Sequence, residues 1–208
     1  MFDAVFFDLD GTLIDSEAVG QAAGIVAFAS LGIAIEPEFL HSMIGIDDQT
    51  SEGMIRARFP GLDTAALEVA RVAEVRRRYA EDLPLKLGTH QILDAIRQPK
   101  ALVTSSTRSQ ADFKLDLSGL GPHFAHVVTF DDVSAAKPDP EPYLMAARLL
   151  GVAPARCVVF EDSEAGARAG HAAGMTVVQI PDIIPASGSF AHLVAPDLMA
   201  GARGIGLI

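Results

Sequence analysis

Short apolar runs alternate with longer stretches of helical periodicity over most of this chain. The apolar runs are rich in Val, Ile or Phe, and they cover residues 4–7, 101–104, 126–130, 157–160 and 176–180. The helical patterns between the later runs cover residues 109–117, 140–150 and 163–173. Gly151 and Gly174 follow the last two patterns as helix stops. Because short strands that alternate with helices are typical of α/β proteins, we predict a doubly wound parallel sheet with crossover helices on both faces.

The interval between the first two apolar runs differs from the rest because it holds several helical patterns and no strand pattern. Helices are predicted there over residues 16–31, 36–44, 47–59 and 64–81. A single crossover helix needs far less chain than this interval offers. We therefore predict an inserted all-helical domain over residues 15–82 and an α/β core over residues 1–14 and 83–208. The tail after Pro181 is predicted to be loop with a short helix around residues 195–203.

Composition and charge narrow the classes of function. The 208 residues are 50% hydrophobic, which is enough to bury a core, and they carry a formal net charge of −11. The densest basic run, residues 76–78, lies among glutamates, so we expect a solvated helix face and no nucleic-acid surface. Cys157 is the single cysteine and falls in an apolar run, which predicts an inert buried thiol in a reducing compartment. With no long apolar span and no leader pattern, we expect a cytoplasmic protein without membrane partners, by default a monomer.

Polar side chains that could take part in catalysis or bind a ligand follow four of the predicted strands. They are Asp8 and Asp10 after the first, Thr104, Ser105 and Ser106 after the second, Lys137 after the third, and Glu161 and Asp162 after the fourth. The carboxyl ends of parallel strands share one edge of a sheet, where ligands of open α/β sheets bind. The sequence therefore predicts that these residues converge on one site.

The chemistry of this set favours phosphoryl transfer. Two carboxylates held close together repel each other and need a cation, and the oxygens of Asp8, Asp10 and Asp162 suit Mg²⁺. Lys137 can stabilise phosphoryl oxygens, and Thr104 offers a hydroxyl at a helix N-terminus. One carboxylate can attack phosphorus, while a second acid protonates the leaving oxygen and later activates water. We expect a small phosphorylated molecule as the substrate.

Four segments together resemble the motifs of the haloacid dehalogenase superfamily. They are FDLDGTLIDS at 7–16, VTSS at 103–106, KPDP at 137–140, and FEDS at 160–163 with Gly166. Their order and separation fit the branch with a helical cap inserted after the first strand. The chain is most similar there to β-phosphoglucomutase-like and phosphoglycolate-phosphatase-like phosphatases. The resemblance covers nearly the whole chain and implies a Rossmann-like core with residues 15–82 as the cap domain.

The resemblance also implies catalytic roles at four positions. Asp8 corresponds to the nucleophile, and Asp10 corresponds to the general acid and base. Thr104 corresponds to the residue that binds the transferring phosphoryl group. Lys137 corresponds to the lysine that stabilises the nucleophile and the phosphate. Residues expected to bind substrate or phosphate are Thr104, Ser105, Lys137 and Gly45.

A magnesium site follows from the same resemblance. Asp8 would bind Mg²⁺ through its carboxylate and Asp10 through its backbone carbonyl. Asp162 would be the third protein ligand, and Glu161 would be a neighbouring or alternate ligand. The expected function is a Mg²⁺-dependent phosphatase that hydrolyses a small phosphate monoester, such as a phosphosugar, through an aspartyl-phosphate.

Other functions remain open at this point. The resemblance implies that a phosphosugar mutase would carry a histidine a few residues after Asp15 and basic residues in the first cap loop. Residues 16–20 contain no histidine and residues 45–48 contain no arginine, which disfavours a mutase. A dehalogenase would have little use for Asp10 together with Glu161 and Asp162. A phosphonate hydrolase would want a lysine in the cap, and residues 15–82 contain none. A non-catalytic binding protein of the same fold is the remaining alternative, against which the complete set of motif residues argues.

Overall fold

The computed structural model describes residues 1–44 and 48–208. In this part of the chain, six strands form one sheet in which every neighbouring pair is parallel, in the order β3-β2-β1-β4-β5-β6. The strands are β1 (Ala4–Phe7), β2 (Lys100–Val103), β3 (His126–Val128), β4 (Cys157–Glu161), β5 (Thr176–Gln179) and β6 (Leu193–Val194). This sheet confirms the predicted Rossmann-like α/β fold.

The described helices fall into one group between β1 and β2 and a second group after β2, which ends with a helix that follows β6. The first group is α1 (Glu17–Ser30), α2 (Pro37–His41), α3 (Asp48–Arg58), α4 (Thr64–Glu81) and α5 (Thr89–Ala95). The second group is α6 (Arg108–Ser118), α7 (Glu141–Leu150), α8 (Glu164–Ala172) and α9 (Leu198–Gly204). None of the helices in the described ranges is long and apolar enough to cross a membrane.

The chain divides into two compact units. One unit contains Met1–Asp15 and Pro84–Ile208, and the other contains Ser16–Leu83. In the first unit, the segment that leads to the inserted helices is hydrogen-bonded to the segment that returns from them. The backbone N–H of Asp15 donates to the carbonyl of Pro84 at 2.9 Å, and the N–H of Lys86 donates to the carbonyl of Leu13 at 2.9 Å. The inserted helices therefore leave and re-enter the sheet unit at a single place.

The strand β1 lies between β2 and β4, and its residues are apolar on both faces, as this position requires. All four are fully buried. Neighbouring residues on a strand point to opposite faces of the sheet. Phe7 stacks on Phe160 of β4 at a centroid separation of 5.1 Å, while Phe6 stacks on Tyr143 of α7 at 6.4 Å. Burying an aromatic side chain contributes roughly 1.5–3 kcal/mol, so this strand anchors the core on both sides.

Two elements were missed, and the third strand is two residues shorter than predicted. The helix α5 and the two-residue strand β6 are too short to produce a clear periodicity in the sequence. The third strand ends at Val128, although the apolar run continues to Phe130. Thr129 and Asp132 form a capping box that starts a 3₁₀ turn at Phe130, and this turn leaves the Phe130 ring half exposed.

The thiol of Cys157 gives a direct test of the core. It is fully buried at the start of β4, and burial, reinforced by the charge of Asp3, raises its pKa to about 11. Because the thiolate is the reactive form, we expect the native protein to react with a thiol reagent at pH 8 at least ~100-fold more slowly than the unfolded chain. Absorbance at 412 nm with an aromatic disulfide reagent, with and without guanidinium, measures both rates. Equal rates would contradict the burial of β4.

Candidate active site

The site lies at the carboxyl ends of the central strands. The backbone N–H of Asp8 donates to the carbonyl of Phe160 at 3.0 Å, which continues the pairing of β1 with β4 past the last residue of β1. The N–H of Thr104 donates to the carbonyl of Val128 at 2.9 Å and extends β2 in the same way. The first polar residue after each strand is therefore held by the sheet itself.

The ammonium group of Lys137 binds two acids of the site. Its Nζ donates to Asp8 Oδ1 at 2.6 Å, to Glu161 Oε1 at 2.5 Å and to the backbone carbonyl of Val103 at 2.8 Å. Only 4% of the Lys137 side chain is exposed, and Glu161 is fully buried. All three N–H donors of the ammonium are therefore used, each on an oxygen from a different strand end.

The carboxylate of Glu161 is occupied by protein donors on both oxygens. Besides Lys137, the hydroxyl of Tyr143 donates to Oε1 at 2.6 Å, and the hydroxyl of Ser163 donates to Oε2 at 3.1 Å. Gly166 lies against this group so closely that a Cβ there would come within 1.9 Å of it. The geometry thus fixes Glu161 tightly next to Lys137.

Three carboxylates of this edge form a cluster with a ligand set that suits a hard cation. Oxygens of Asp8, Glu161 and Asp162 lie within 4.8 Å of one another. Asp162 accepts a hydrogen bond from Thr12 at 3.3 Å. Its other oxygen would be 2.2 Å from a Cβ at Gly11, which also has a φ of +79°. Glycine at position 11 is therefore required by both the backbone and the space for Asp162.

Burial dominates the electrostatics of the cluster. Desolvation raises the pKa of Asp8, and the charge of Glu161 raises it further, while Lys137 opposes both effects. The pKa of Asp162 is also raised, by burial first and then by Asp8 and Glu161. Burial alone would lower the pKa of Lys137, but the two carboxylates outweigh burial and raise it. The cluster is therefore short of positive charge.

The carboxylate of Asp10 has partners outside this cluster. Lys114 of α6 contacts Oδ1 and Oδ2 of Asp10 at 2.6 Å each, and the hydroxyl of Ser106 donates to Oδ2 at 2.8 Å. The two aspartates after β1 are thus each paired with a lysine, Asp8 with Lys137 and Asp10 with Lys114.

The remaining predicted residues are placed as follows. Thr104 is buried at the end of β2, and its Oγ1 accepts a hydrogen bond from the N–H of Ser106 at 3.0 Å. Ser105 is exposed in the turn before α6. Gly45 lies outside the described residues, so its predicted role stays a prediction.

Two residues of the site were missed in the sequence, Lys114 and Tyr143. Lys114 follows Thr104 by ten residues in the middle of a helix, and nothing in the local pattern distinguishes it from a surface lysine. Tyr143 carried a weak signal, since it lies at the start of a helix six residues after Lys137 and a buried tyrosine needs a partner for its hydroxyl.

Residues 2–174 match the family of haloacid dehalogenase-like hydrolases. Validoxylamine A 7'-phosphate phosphatase from Streptomyces hygroscopicus subsp. limoneus is 34% identical, over 86% of this chain and 85% of that protein. Fructose-1-phosphate phosphatase YqaB from Escherichia coli K12 is 30% identical, over 86% of this chain and 96% of that protein. A HAD family hydrolase from Deinococcus radiodurans R1, solved with bound phosphate and sodium, is 27% identical with a TM-score of 0.78, over 100% of this chain and 97% of that one.

These matches cover most of the chain, and the matched family is the one that the motifs at the strand ends resemble. They confirm the predicted kind of enzyme, a phosphoric monoester hydrolase of the haloacid dehalogenase type. The chain belongs to the haloacid dehalogenase-like hydrolase family.

Proposed function

We propose that this enzyme is a Mg²⁺-dependent phosphatase that hydrolyses a small phosphate monoester, a phosphosugar or a related metabolite, through an aspartyl-phosphate on Asp8. The observation that carries the proposal is the buried Asp8 carboxylate, which is held by Lys137 beside the Glu161 and Asp162 carboxylates. The names of the two phosphatase relatives, which state phosphorylated carbohydrate-like substrates, support the substrate class.

The residues present fit a magnesium ion. The cluster offers carboxylate oxygens, the ligands that Mg²⁺ prefers, and three carboxylates against one ammonium leave two negative charges unbalanced. Asp8 and Asp162 would hold the ion through their carboxylates, and Asp10 would add its backbone carbonyl. When bound, the ion would supply the positive charge that offsets repulsion between the phosphate and these acids.

The nucleophile is proposed to be Oδ2 of Asp8, because Oδ1 is the oxygen that accepts from Lys137. Oδ2 attacks phosphorus, and the bond between phosphorus and the ester oxygen breaks. The leaving oxygen takes a proton from Asp10. A water molecule then gives a proton to the Asp10 carboxylate and attacks the same phosphorus, which releases Asp8 and inorganic phosphate. The positive charge of Lys137, whose N–H groups are already bound to protein oxygens, and the hydroxyl of Thr104 stabilise the charge on the phosphoryl oxygens.

Glu161 is proposed to act mainly by fixing Lys137. Its Oε1 accepts from both Lys137 and Tyr143, whereas Oε2 accepts only from Ser163 and so retains one acceptor position for a cation. Because Lys137 is already held in position, no free energy is needed to reorient it when charge develops during phosphoryl transfer.

The helical unit Ser16–Leu83 is proposed to be a cap that selects the leaving group. It is inserted directly after the loop that carries Asp8 and Asp10, and it returns to the sheet unit at Pro84. If this is its role, loosening the segment 45–49 should change the ranking of substrates more than it changes the attack on phosphorus.

Phosphate release from a panel of phosphorylated metabolites tests the proposed function. We expect release by the wild type with Mg²⁺, none with EDTA, and recovery when Mg²⁺ is added back in excess. Asp8→Asn should lower kcat/KM on the order of 10³-fold or more because it removes the nucleophile. The control is Asp116→Asn, the same change at an exposed position of α6, which should leave the rate unchanged.

Two other outcomes would contradict the proposal. Undiminished hydrolysis by Asp8→Asn would remove the aspartyl-phosphate from the account. An isomerised sugar phosphate formed without free phosphate would favour the mutase.

A matched pair of glycine substitutions tests the packing around Glu161. Gly166→Ala places a methyl group against the Glu161 carboxylate and should destabilise the protein by about 1–3 kcal/mol while lowering the rate of phosphate release. Gly53→Ala, in α3, meets nothing within 4 Å and should stabilise its helix by roughly 0.5–1 kcal/mol. Thermal midpoints and phosphate release measure both effects. A Gly166→Ala variant as stable and active as the wild type would contradict the close contact.

A further inference from the structure

The carboxylate of Asp10 is held by a small network that comes from α6 and from the turn before it. Lys114 Nζ lies 2.6 Å from each oxygen of Asp10 and 3.0 Å from the hydroxyl of Ser106, which itself donates to Asp10. Lys114 is 104 residues away from Asp10 in the chain, and 11% of its side chain is exposed. A lysine with so little exposure is uncommon unless it is paired.

The helix α6 fixes the position of this lysine. It begins with a capping box in which Thr107 and Gln110 satisfy each other's backbone groups, so the register of the helix is set at its first turn. Ala111 and Leu115, three residues before and one residue after Lys114, are buried. The Lys114 side chain is thereby held on the side of the helix that faces the loop after β1.

The contacts of the Asp10 carboxylate restrict the positions at which it can carry a proton. An ionised carboxylate has about four lone-pair positions for hydrogen bonds. Lys114 takes one on each oxygen, and Ser106 takes a second one on Oδ2. The open position is therefore on Oδ1. A proton transferred by Asp10 would be carried there.

We propose that Lys114 is a positioning residue for Asp10, and that with Ser106 it orients the carboxyl group that passes a proton to the leaving oxygen. This inference rests on the proposed function, since it assigns Lys114 a part in that same reaction. Proton transfer in the first step takes a proton from Oδ1 of Asp10 to the ester oxygen. The negative charge that remains on Asp10 is balanced by the ammonium already in contact with both oxygens.

An ion pair that only stabilises the fold would affect all substrates alike, so the test compares two leaving groups. An alkyl phosphate, such as a sugar phosphate, needs protonation of its leaving oxygen. An aryl phosphate, such as 4-nitrophenyl phosphate, does not. We expect Lys114→Met to lower kcat/KM at least ~10-fold for the alkyl ester and less than ~3-fold for the aryl ester.

Lys86→Met is the matched control. Lys86 forms an ion pair with Asp182 at 2.6 Å in the same unit, with side chains only 20% and 15% exposed. Its removal should leave the ratio of the two kcat/KM values unchanged. Lys114→Arg retains the cation and should recover part of the alkyl activity. If Lys114→Met does not fold, Ser106→Ala provides the same test, with a smaller selective loss in the same direction.

A double substitution shows whether Lys114 acts through Asp10. In an Asp10→Asn background, Lys114→Met should cause no further selective loss on the alkyl ester, because the acid is already absent. Equal losses on both esters, or a further selective loss in that background, would overturn the role proposed for Lys114 and leave the proposed function standing. A wild type that releases phosphate from neither ester would overturn the proposed function instead.

Discussion

The rest of the site depends on the interactions of the buried ammonium group of Lys137. It gives each of its three N–H groups to a different strand end, to Asp8, Glu161 and the carbonyl of Val103. Removing one partner from a buried ion pair costs roughly 3–5 kcal/mol, because an uncompensated charge remains inside the protein. The carboxylates of Asp8 and Glu161 can therefore be buried together because this lysine is buried with them.

The order of the strands brings the partners of Lys137 together. β1 lies between β2 and β4, so the residues after these three strands end at one edge. Gly11 and Gly166 keep side chains away from the places where Asp162 and Glu161 must lie. Asp8 and Asp10 are only two residues apart, yet each has its own lysine. The proposed nucleophile and the proposed proton donor thus have separate cationic partners.

The fold and the positions of most candidate site residues were predictable because their signals are local. An apolar run that ends in two acids indicates a buried strand and the edge of the sheet at which the acids lie, and the same holds for Glu161 and Asp162. Lys114 was not predictable, since it contacts a residue 104 positions away. Tyr143 gave only a weak signal, because its partner Glu161 lies 18 positions away. β6 has only two residues and depends on pairing with β5, so its sequence carries no periodicity.

An aspartyl-phosphate intermediate would place phosphate on Asp8 itself, where it can be detected. The enzyme would be mixed with a phosphosugar substrate and Mg²⁺, quenched in acid within milliseconds, reduced with borohydride and digested for peptide mass spectrometry. If Asp8 is the nucleophile, the peptide containing Asp8 carries the reduction product of an acyl phosphate during turnover, and Asp10 in the same peptide does not. Free phosphate produced at the normal rate, with no modification of Asp8 at any time, would contradict that role.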